Sequence, residues 1–466
     1  MEELSGLDAR FLYSETPTAH MHTLKIAEMD VSGRATPLTP KEFVALLADR
    51  LDRLPSLRRR VVTIPHRLGH PVWVEDPDLD LSRHVHWRVA PSPGGDRELA
   101  AIVAEVAATQ LPRDRPLWDL TVVDGLAGDR MAFVVKLHHA LADGGAAVAM
   151  LENAFVVDDR EAFVQTECSE PIPSPGALYR QATRSRARRV TQLPDFAGKT
   201  ARGLGAARRA RKQTEVAPTV PFAAPRTSLN VSLDAERTYA MTGLPLARLM
   251  QIRKTAGVSF NDVFLALCGG ALRRYLQARG ELPSRSLIAA VPLATRLGER
   301  RFSGNHVDNL IIPLGTELGA ADRTESVHRA VRAARHIRSA LGTDLFEYRA
   351  GLTPPHLYPL GLRLWARTRL ADHVRPPVNV VASNVTGPRV PLELGGAVVT
   401  ALYSVGPILE GIGLNITAWS YVDRLFVSAL GCRSSLPDPW ALIDEFEPAL
   451  GELELVYAPG GGSAPS

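Results

Sequence analysis

Two adjacent histidines are the side chains of this sequence whose type and spacing point most directly to chemistry. They lie in "KLHHALADGGAA", where His138 and His139 end an apolar run, Asp143 follows four residues after His139, and Gly144 opens a Gly-Gly pair. A neutral imidazole near pH 7 is the usual general base for removing a proton from an alcohol. Because an imidazole must be held in one tautomer and one orientation, Asp143 is a candidate for that task, directly or through an arginine.

The structural alternative for the pair is an ordinary core histidine. Neighbouring side chains of a strand face opposite sides, so one of the two would be buried and satisfied by a hydrogen bond. The surroundings favour chemistry, because the glycines allow a sharp turn and the predicted helix after them brings its N-terminal N–H groups to the same point. No GxSxG motif or cysteine lies nearby, which favours direct attack by a bound hydroxyl on a bound thioester over a covalent acyl-enzyme.

Hydrophobic periodicity predicts the elements that must position this motif. In residues 1–157, helices are predicted in "PKEFVALLADRLDRLPSL", "RELAAIVAEVAATQL" and "GGAAVAMLENAFV", and strands in "RRRVVTI", "PVWVED", "LWDLTVVDGL" and "RMAFVVKL". The last strand is nearly all apolar, as expected for a strand buried on both faces, and it leads directly into the histidines.

Residues 226–457 show a second alternation of helices and strands. Helices are predicted in "FNDVFLALCGGALRRYLQARG", "ESVHRAVRAARHIRSAL" and "WALIDEFEPALGELELV", and strands in "SLIAAVPL", "NLIIPL", "VNVVASNVTGP", "GAVVTALYSV" and "GLNITAWSYVDRLFVSALG". Residues 458–466 are predicted to be a disordered tail. The predicted fold class is therefore α/β, with two halves of mixed sheet and helices.

Residues 158–225 between the halves form a basic linker flanked by prolines. From Arg180 to Lys212 the chain has eleven Lys and Arg residues against the single acid Asp195. One interpretation is a solvated, disordered connector with a partly helical insert. The other is an interfacial segment that anionic lipid headgroups attract. Nucleic-acid binding is disfavoured, because no interleaved aromatic residues or DNA-binding motif accompany the charges.

Composition sets the class of protein. With 466 residues, 45% hydrophobic and 22% charged, and a net charge of +4, the chain reads as an ordinary globular protein of two domains. Its three cysteines, Cys168, Cys268 and Cys432, are far apart, which predicts neither a metal site nor a disulfide framework and suits a reducing cytosol. The N-terminus lacks a signal-peptide pattern, and no run approaches the ~18 apolar residues that span a bilayer. Any membrane contact is therefore predicted to be peripheral.

The pattern from His138 to Gly144 matches the HHxxxDG signature of CoA-dependent acyltransferases, a superfamily that includes chloramphenicol acetyltransferase, carnitine acyltransferases and peptide-synthetase condensation domains. Further segments narrow the resemblance to the bacterial wax ester synthase/diacylglycerol acyltransferase (WS/DGAT) family. These segments are "LSGLDARFLYSETPTAHMH", "VWVEDPDLDLSRHV", "RPLWDL", "SFNDVFLALCGGALRRYL", "AAVPLATR" with "GNHVDNLIIPL", and "ASNVTGP". They occur in the family's order and cover nearly the full chain apart from the basic linker and the tail.

The resemblance implies two chloramphenicol acetyltransferase-like domains with a substrate channel between them. CoA would enter from one face and the acceptor from the other, and an apolar acyl chain would run along the interface. His139 would be the general base and His138 a supporting residue. Asp143 would be the structural carboxylate, and Gly144 would keep the turn open.

The resemblance also assigns supporting residues in the first half. The partner of Asp143 would be an arginine from "LPSLRRRVV", with Arg60 favoured over Arg58. In the family's PLW motif, Pro116 and Leu117 would give structural support. Trp118 would either contact substrate or simply pack in the core.

In the second half, the family's ND motif is formed by Asn261 and Asp262. Asn261 would help to position the histidine or the thioester, or else the pair would only cap the following helix. Ser383 and Asn384 are candidate donors to a developing oxyanion. The segment that contains them has Thr386 where the family usually has proline, and it could also be no more than a tight turn.

The leading functional prediction is an acyl-CoA-dependent O-acyltransferase that acts on diacylglycerol, a long-chain alcohol or a related lipid hydroxyl. Acyl-CoA is a co-substrate, and no cofactor or metal is predicted. An alternative is a condensation enzyme that takes its acyl group from a carrier protein. A second alternative is a catalytically silent lipid-binding or droplet-associated protein. The lipid function predicts a cytoplasmic protein held peripherally at the inner membrane face or at lipid droplets, with no nucleic-acid partner and no predicted oligomeric state.

Overall fold

The computed structural model describes residues 2–142, 146, 150, 172–294, 307–342 and 344–458. The helices are α1 (Gly6–Tyr13), α2 (Pro40–Arg50), α3 (Asp96–Ala108), α4 (Pro175–Lys212), α5 (Leu246–Ala256), α6 (Phe260–Ala278), α7 (Ala320–Leu341), α8 (Asp344–Gly351), α9 (Leu357–Arg367), α10 (Pro439–Ile443) and α11 (Phe446–Tyr457). The strands are β1 (Glu2–Glu3), β2 (His22–Asp30), β3 (Arg59–Val62), β4 (Val72–Glu75), β5 (Val85–Val89), β6 (Trp118–Leu126), β7 (Arg130–His138), β8 (Thr238–Pro245), β9 (Ile288–Ala294), β10 (Val307–Pro313), β11 (Val380–Thr386), β12 (Glu393–Leu394), β13 (Ala397–Val405), β14 (Leu414–Tyr421) and β15 (Arg424–Gly431).

Two six-stranded mixed sheets organise this described part of the chain. The first has the order β12-β13-β2-β7-β6-β5, and the second has the order β10-β9-β11-β14-β15-β8. Among the described strands of the first sheet only β5 and β6 run parallel, and in the second sheet β11 runs parallel to both β9 and β14. A small antiparallel sheet, β1-β4-β3, lies beside them. The predicted α/β class, with two halves of mixed sheet and helices, is confirmed.

The first sheet draws strands from both ends of the chain. Strand β13 pairs antiparallel with β2, with Tyr403 opposite Ile26 and Val405 opposite Leu24, and β12 extends the sheet beyond β13. The predicted ranges 1–157 and 226–457 follow chain order, but the second of them contributes these two strands to the sheet of the first. The division of the sequence into halves therefore does not separate the two sheets.

The two halves also share a hydrophobic core. The side chains of strand β8 point alternately to its two faces, as the two-residue period of a strand requires. Tyr239 and Met241 face the core of the first sheet, whereas Ala240 and Leu244 face the core between the second sheet and its helices. This alternation fixes the second sheet against the first.

Helix α6 is the most buried of the helices that pack in the second core, among those the structure describes. Ser259 and Asp262 form a reciprocal capping box at its first turn, and the helix is buried along most of its length. Among the described helices none is by itself long and apolar enough to cross a membrane. Helices α5 and α6 taken together have the length and apolar composition of a membrane span, but the chain bends by 108° between them.

Much of the basic linker is a packed helix. Helix α4 buries small and apolar residues, among them Leu178, Ala182 and Ala210, while most of its cations remain exposed. A Cβ at Gly203 would lie 2.7 Å from the Leu341 carbonyl oxygen, so α4 and α7 cross closely at that glycine. The disordered interpretation is therefore wrong for Pro175–Lys212, because these buried contacts hold the helix against the body of the protein.

Candidate active site

The histidine pair lies at the C-terminal end of β7, between β2 and β6 in the middle of the first sheet. The backbone N–H of His138 donates to the Leu117 carbonyl (2.9 Å), and that of His139 donates to the Met21 carbonyl (2.8 Å). Both neighbouring segments therefore hold the backbone of the pair. Met21 is buried with a φ of 51°, in the left-handed region that is uncommon for a residue other than glycine.

The ring of His138 is fully buried and is hydrogen-bonded at both nitrogens. Nδ1 accepts from the Ala140 backbone N–H (3.0 Å), so the proton lies on Nε2, which donates to Oε1 of Glu15 (3.0 Å). Burial lowers the pKa of His138, against the opposing effect of the bond to Glu15. His138 is therefore a neutral imidazole of defined tautomer that holds the end of the strand in place.

Glu15 is a central residue of this site that sequence reasoning missed. It is buried, and its second oxygen accepts from Gln110 Nε2 (3.2 Å) and from the guanidinium of Arg113. Burial by itself would raise the pKa of Glu15, but the hydrogen bond from His138 and the charge of Arg113 outweigh it, so the pKa lies below its ordinary value. The signals in the sequence were its place in "LSGLDARFLYSETPTAHMH", a segment that resembles the family's opening, and its being a lone acid in a polar stretch 123 residues before His138.

His139 has a different environment from its neighbour. Its side chain is partly exposed, and its ring stacks on that of Phe11 with 4.1 Å between the ring centroids and an interplanar angle of 12°. Phe11 belongs to α1, and Ala9 and Tyr13 of this helix are buried. The helix is therefore anchored, which fixes the position of the Phe11 ring. The stacking holds the imidazole plane in one orientation, as a general base requires.

A cavity of about 850 Å³ begins beside this network. Its wall includes Leu12 and Glu15 from the first half and Pro359 on α9 from the second half. Of the described residues, four arginines also line it: Arg67, Arg113, Arg363 and Arg367. Among the described residues His139 does not line the cavity, which reaches as far as Leu12, the neighbour of Phe11. The cavity is large enough for a substrate and strongly cationic.

A second, apolar cavity of about 130 Å³ lies on one face of the first sheet beneath α2. Trp118 on β6 and Trp419 on β14 line it, together with Phe43 of α2 and Met150. Lys25 is the buried cation of its wall and lies 5.5 Å from the centroid of the Trp419 ring. Both halves of the chain thus contribute to this cavity.

Asp143 and Gly144 lie outside the described residues, so their predicted roles stay predictions. The two arginines proposed as partners of Asp143 are described. Arg58 is paired with Asp52 (2.8 Å) and Glu75 (3.1 Å). The contacts of Arg60 are longer. Its guanidinium donates to the Asp114 carbonyl at 3.4 Å and lies 4.0 Å from a carboxylate oxygen of Asp76.

The predicted PLW residues form part of the scaffold of the site. The indole N–H of buried Trp118 donates to the Leu57 carbonyl (2.8 Å), and its ring stacks on His84. Leu117 is buried, and its carbonyl accepts the hydrogen bond from the backbone N–H of His138. The Pro116 carbonyl accepts the hydrogen bond from the backbone N–H of Trp118 (2.9 Å). These contacts match the core-packing alternative for Trp118, although its ring edges the apolar cavity.

Asn261 and Asp262 start α6, in the second half. Asp262 is buried, accepts the Ser259 backbone N–H (3.0 Å) and lies 2.8 Å from Nδ1 of His328. Asn261 is half-buried. The hydrogen bonds of the described residues join neither side chain to the histidine pair, and the helix-cap alternative accounts for Asp262.

Ser383 and Asn384 lie half-buried on β11, opposite Thr417 and Ala418 of β14. Within the described chain no hydrogen bond joins either residue to the histidine pair, and Oδ1 of Asn384 is buried without a hydrogen-bond partner there. Gly387 just beyond β11 is required sterically, because a Cβ at this position would lie 2.5 Å from Nε1 of Trp419.

The sequence of this chain is similar to those of known proteins. The family model for the wax ester synthase/diacylglycerol acyltransferase catalytic domain matches residues 4–264, and that for the WS/DGAT C-terminal domain matches residues 303–454. A Mycobacterium tuberculosis H37Rv protein provisionally named a diacylglycerol O-acyltransferase is 37% identical over 445 residues, 94% of this chain and 93% of its own. A second protein of that strain with the same provisional name is 35% identical over 465 residues, 97% of each chain.

Solved structures share the architecture. The wax ester synthase/diacylglycerol acyltransferase from Marinobacter aquaeolei VT8 matches with a TM-score of 0.65 and 28% identity, covering 98% of this chain and all of its own. The first condensation domain of the calcium-dependent antibiotic synthetase matches with a TM-score of 0.59 and 18% identity, over 99% of this chain and 97% of that one. The second likeness concerns the fold alone.

Proposed function

Because the chain belongs to the wax ester synthase/diacylglycerol acyltransferase family and is an acyltransferase, we propose that it transfers a long-chain acyl group from acyl-CoA to a lipid hydroxyl, that of a diacylglycerol, a long-chain alcohol or both. The observation that carries this proposal is the His138–Glu15 pair beside a partly exposed His139, next to a cavity that both halves line.

His139 is the general base of the proposed reaction. Its neighbour His138 is unsuited to the task, because both of its ring nitrogens are engaged and its side chain is buried. The acceptor oxygen attacks the thioester carbonyl carbon while its proton passes to His139. The C–S bond then breaks, and the CoA thiolate leaves with the proton from the imidazolium.

The remaining predicted residues are assigned supporting roles in the proposal. Asp143 and Gly144 shape the turn after the histidines, with Arg60 as the arginine partner. Ser383 and Asn384 remain candidate donors to the oxyanion, as two adjacent half-buried polar residues of β11.

The two cavities support the proposed substrates. Phosphate groups such as those of CoA are favoured partners of arginine, and four arginines line the large cavity. The apolar cavity suits an acyl chain, and because its 130 Å³ is below the roughly 300–1,000 Å³ of a typical ligand site, it would hold only part of a long chain. No metal or cofactor enters the proposal, since a thioester is already an activated acyl donor. The exposed cations of α4 support a peripheral location at an anionic lipid surface.

The experiment that tests this proposal measures lipid products. Purified protein receives palmitoyl-CoA with diolein or hexadecanol, and triacylglycerol and wax ester are separated and quantified. We expect one or both products to form, with palmitoyl-CoA a far better donor than a palmitoylated carrier protein. Product from the carrier protein alone would assign the condensation alternative, and folded protein that forms no product from either donor would contradict the proposal.

A further inference from the structure

Helix α9 presents leucines to solvent at the edge of the large cavity. Leu357, Leu360 and Leu364 are 69%, 64% and 59% exposed. At 100° per residue these three positions fall within about 60° of arc on one side of the helix. We call them the leucine ridge. Single exposed leucines are common, but a row of three on one helix face is the pattern of an interaction surface.

The opposite side of α9 is anchored to the first half of the protein. Pro359 is buried, Tyr358 packs against α1, and the Arg10 guanidinium lies 5.6 Å from the centroid of the Tyr358 ring. The side chain of Ser14 also donates to the Tyr358 hydroxyl (3.4 Å). The helix is therefore held from behind, so the outward direction of the ridge follows from its packing.

The charged residues of α9 itself, Arg363 and Arg367, are both cations. Arg363 and Arg367 are exposed on α9 and line the cavity, so they lie between its opening and the leucines. From residue 348 to residue 371 the sequence contains four arginines and a histidine but no aspartate or glutamate: Arg349, His356, Arg363, Arg367 and Arg369. Asp372 follows as the ion-pair partner of Arg369. Leucines flanked by cations match a surface that is apolar below and anionic at its boundary.

We propose that the leucine ridge of α9 docks the protein on an anionic lipid surface, with the leucines inserted and Arg363 and Arg367 at the level of the headgroups. The long stems of the arginines lie along apolar surface while their charges stay in water, which suits that depth. Docking in this orientation brings the opening of the large cavity to the surface in which long-chain substrates partition. This consequence rests on the proposed function, whereas the docking itself does not.

Vesicle co-sedimentation tests the docking. The probe is vesicles of phosphatidylcholine with phosphatidylglycerol, compared with phosphatidylcholine alone and with high salt. The test variant is Leu360→Gln/Leu364→Gln, and the matched control is Leu455→Gln, an 83% exposed leucine on α11. We expect the wild type and the control to bind anionic vesicles equally, and the double variant to bind at least about tenfold more weakly. Salt and uncharged vesicles should weaken wild-type binding.

Activity on two kinds of acceptor separates docking from chemistry. The double variant should lose turnover of diolein presented in vesicles and keep turnover of a short, water-soluble alcohol with a short-chain acyl-CoA. Unchanged vesicle binding by the double variant would overturn the proposal. So would a wild-type dimer in sedimentation velocity that the double variant converts to a monomer, because the ridge would then join two copies of this chain. Ridge-dependent binding without acylation of any acceptor would uphold the docking surface and contradict the proposed function.

Discussion

His138 and His139 are neighbours in the chain but have opposite environments, because successive side chains at the end of a strand point to opposite sides. One ring is buried and bonded to Glu15, and the other is partly exposed and stacked on Phe11. The motif therefore divides two tasks between its histidines. His138 holds the strand end, and His139 is left for the chemistry that we propose.

Glu15 should act as a positioning residue for this pair. Replacing it by glutamine keeps the size of the side chain but removes the charge that meets His138 and Arg113. We expect Glu15→Gln to lower kcat by about tenfold to hundredfold, the range for displaced catalytic groups, while KM changes little. The control is Glu105→Gln, at an exposed position on α3. Wild-type kcat in the Glu15 variant would show that this carboxylate does not position the histidines.

The residues of the site were only partly predictable from the sequence. The histidine pair was identifiable because its pattern is local, spanning seven positions. Glu15 was not, since it reaches His138 across 123 residues through the packing of the segment before β2. A local pattern carries no information about such a partner. The assignments of Asn261, Ser383 and Asn384 to chemistry stay predictions.

At the scale of elements, the buried strands were the most predictable part of the fold. The predicted strands that became β6, β7, β14 and β15 are apolar along most of their length, because both faces are covered. The partners of a strand are a different matter. The apolar residues of β13 predicted a strand, but its sequence did not indicate that it pairs with β2, which lies far earlier in the chain.

Helix α4 shows where charge and proline content mislead. Its surface is largely cationic, so its sequence resembled a connector. It nevertheless packs, because small residues at the contact allow the backbones of α4 and α7 to approach closely. Because such a contact needs little apolar surface, the signal for it in the sequence was weak.

This close contact supplies a matched pair of variants. In Gly203→Ala the new methyl group meets the Leu341 carbonyl at 2.7 Å, whereas at Gly205 the nearest atom lies 3.7 Å away on a flexible arginine. We expect Gly203→Ala to loosen α4 and to speed tryptic cleavage within Pro175–Lys212. Gly205→Ala should leave cleavage unchanged or slow it, since alanine favours a helix by roughly 0.5–1 kcal/mol over glycine. Equal cleavage of both variants would contradict the crossing.

At the scale of the whole molecule, buried neutral histidines make stability depend on pH. His70 links the two halves, with Nε2 donating to the Gly351 carbonyl (3.1 Å) and Nδ1 accepting from the Tyr13 hydroxyl (2.9 Å). Burial, aided by the charge of Arg189, lowers the pKa of His70 from 6.5 to about 4. Burial likewise lowers the pKa of His138.

A histidine whose pKa is lowered by folding binds fewer protons in the native state than in the unfolded state. The free energy of unfolding therefore falls as pH drops below 6.5 and stops falling, for His70, near pH 4. At pH 5 the loss from His70 alone is about 2 kcal/mol. Urea unfolding between pH 7.5 and pH 5 should show this decline, and His70→Gln should reduce its slope. The half-exposed His86→Gln is the control, and an unchanged slope in the His70 variant would refute the assignment.

The central claim is that His139 takes the proton from the acceptor hydroxyl. Acceptor-dependent release of CoA thiol from palmitoyl-CoA tests it most directly, measured for the wild type, for His139→Ala and for the exposed His66→Ala as control. We predict that His139→Ala lowers the rate by roughly 10²–10⁴-fold while the protein remains folded, and that the control keeps the wild-type rate. Acceptor-dependent release at the wild-type rate by folded His139→Ala would contradict the claim.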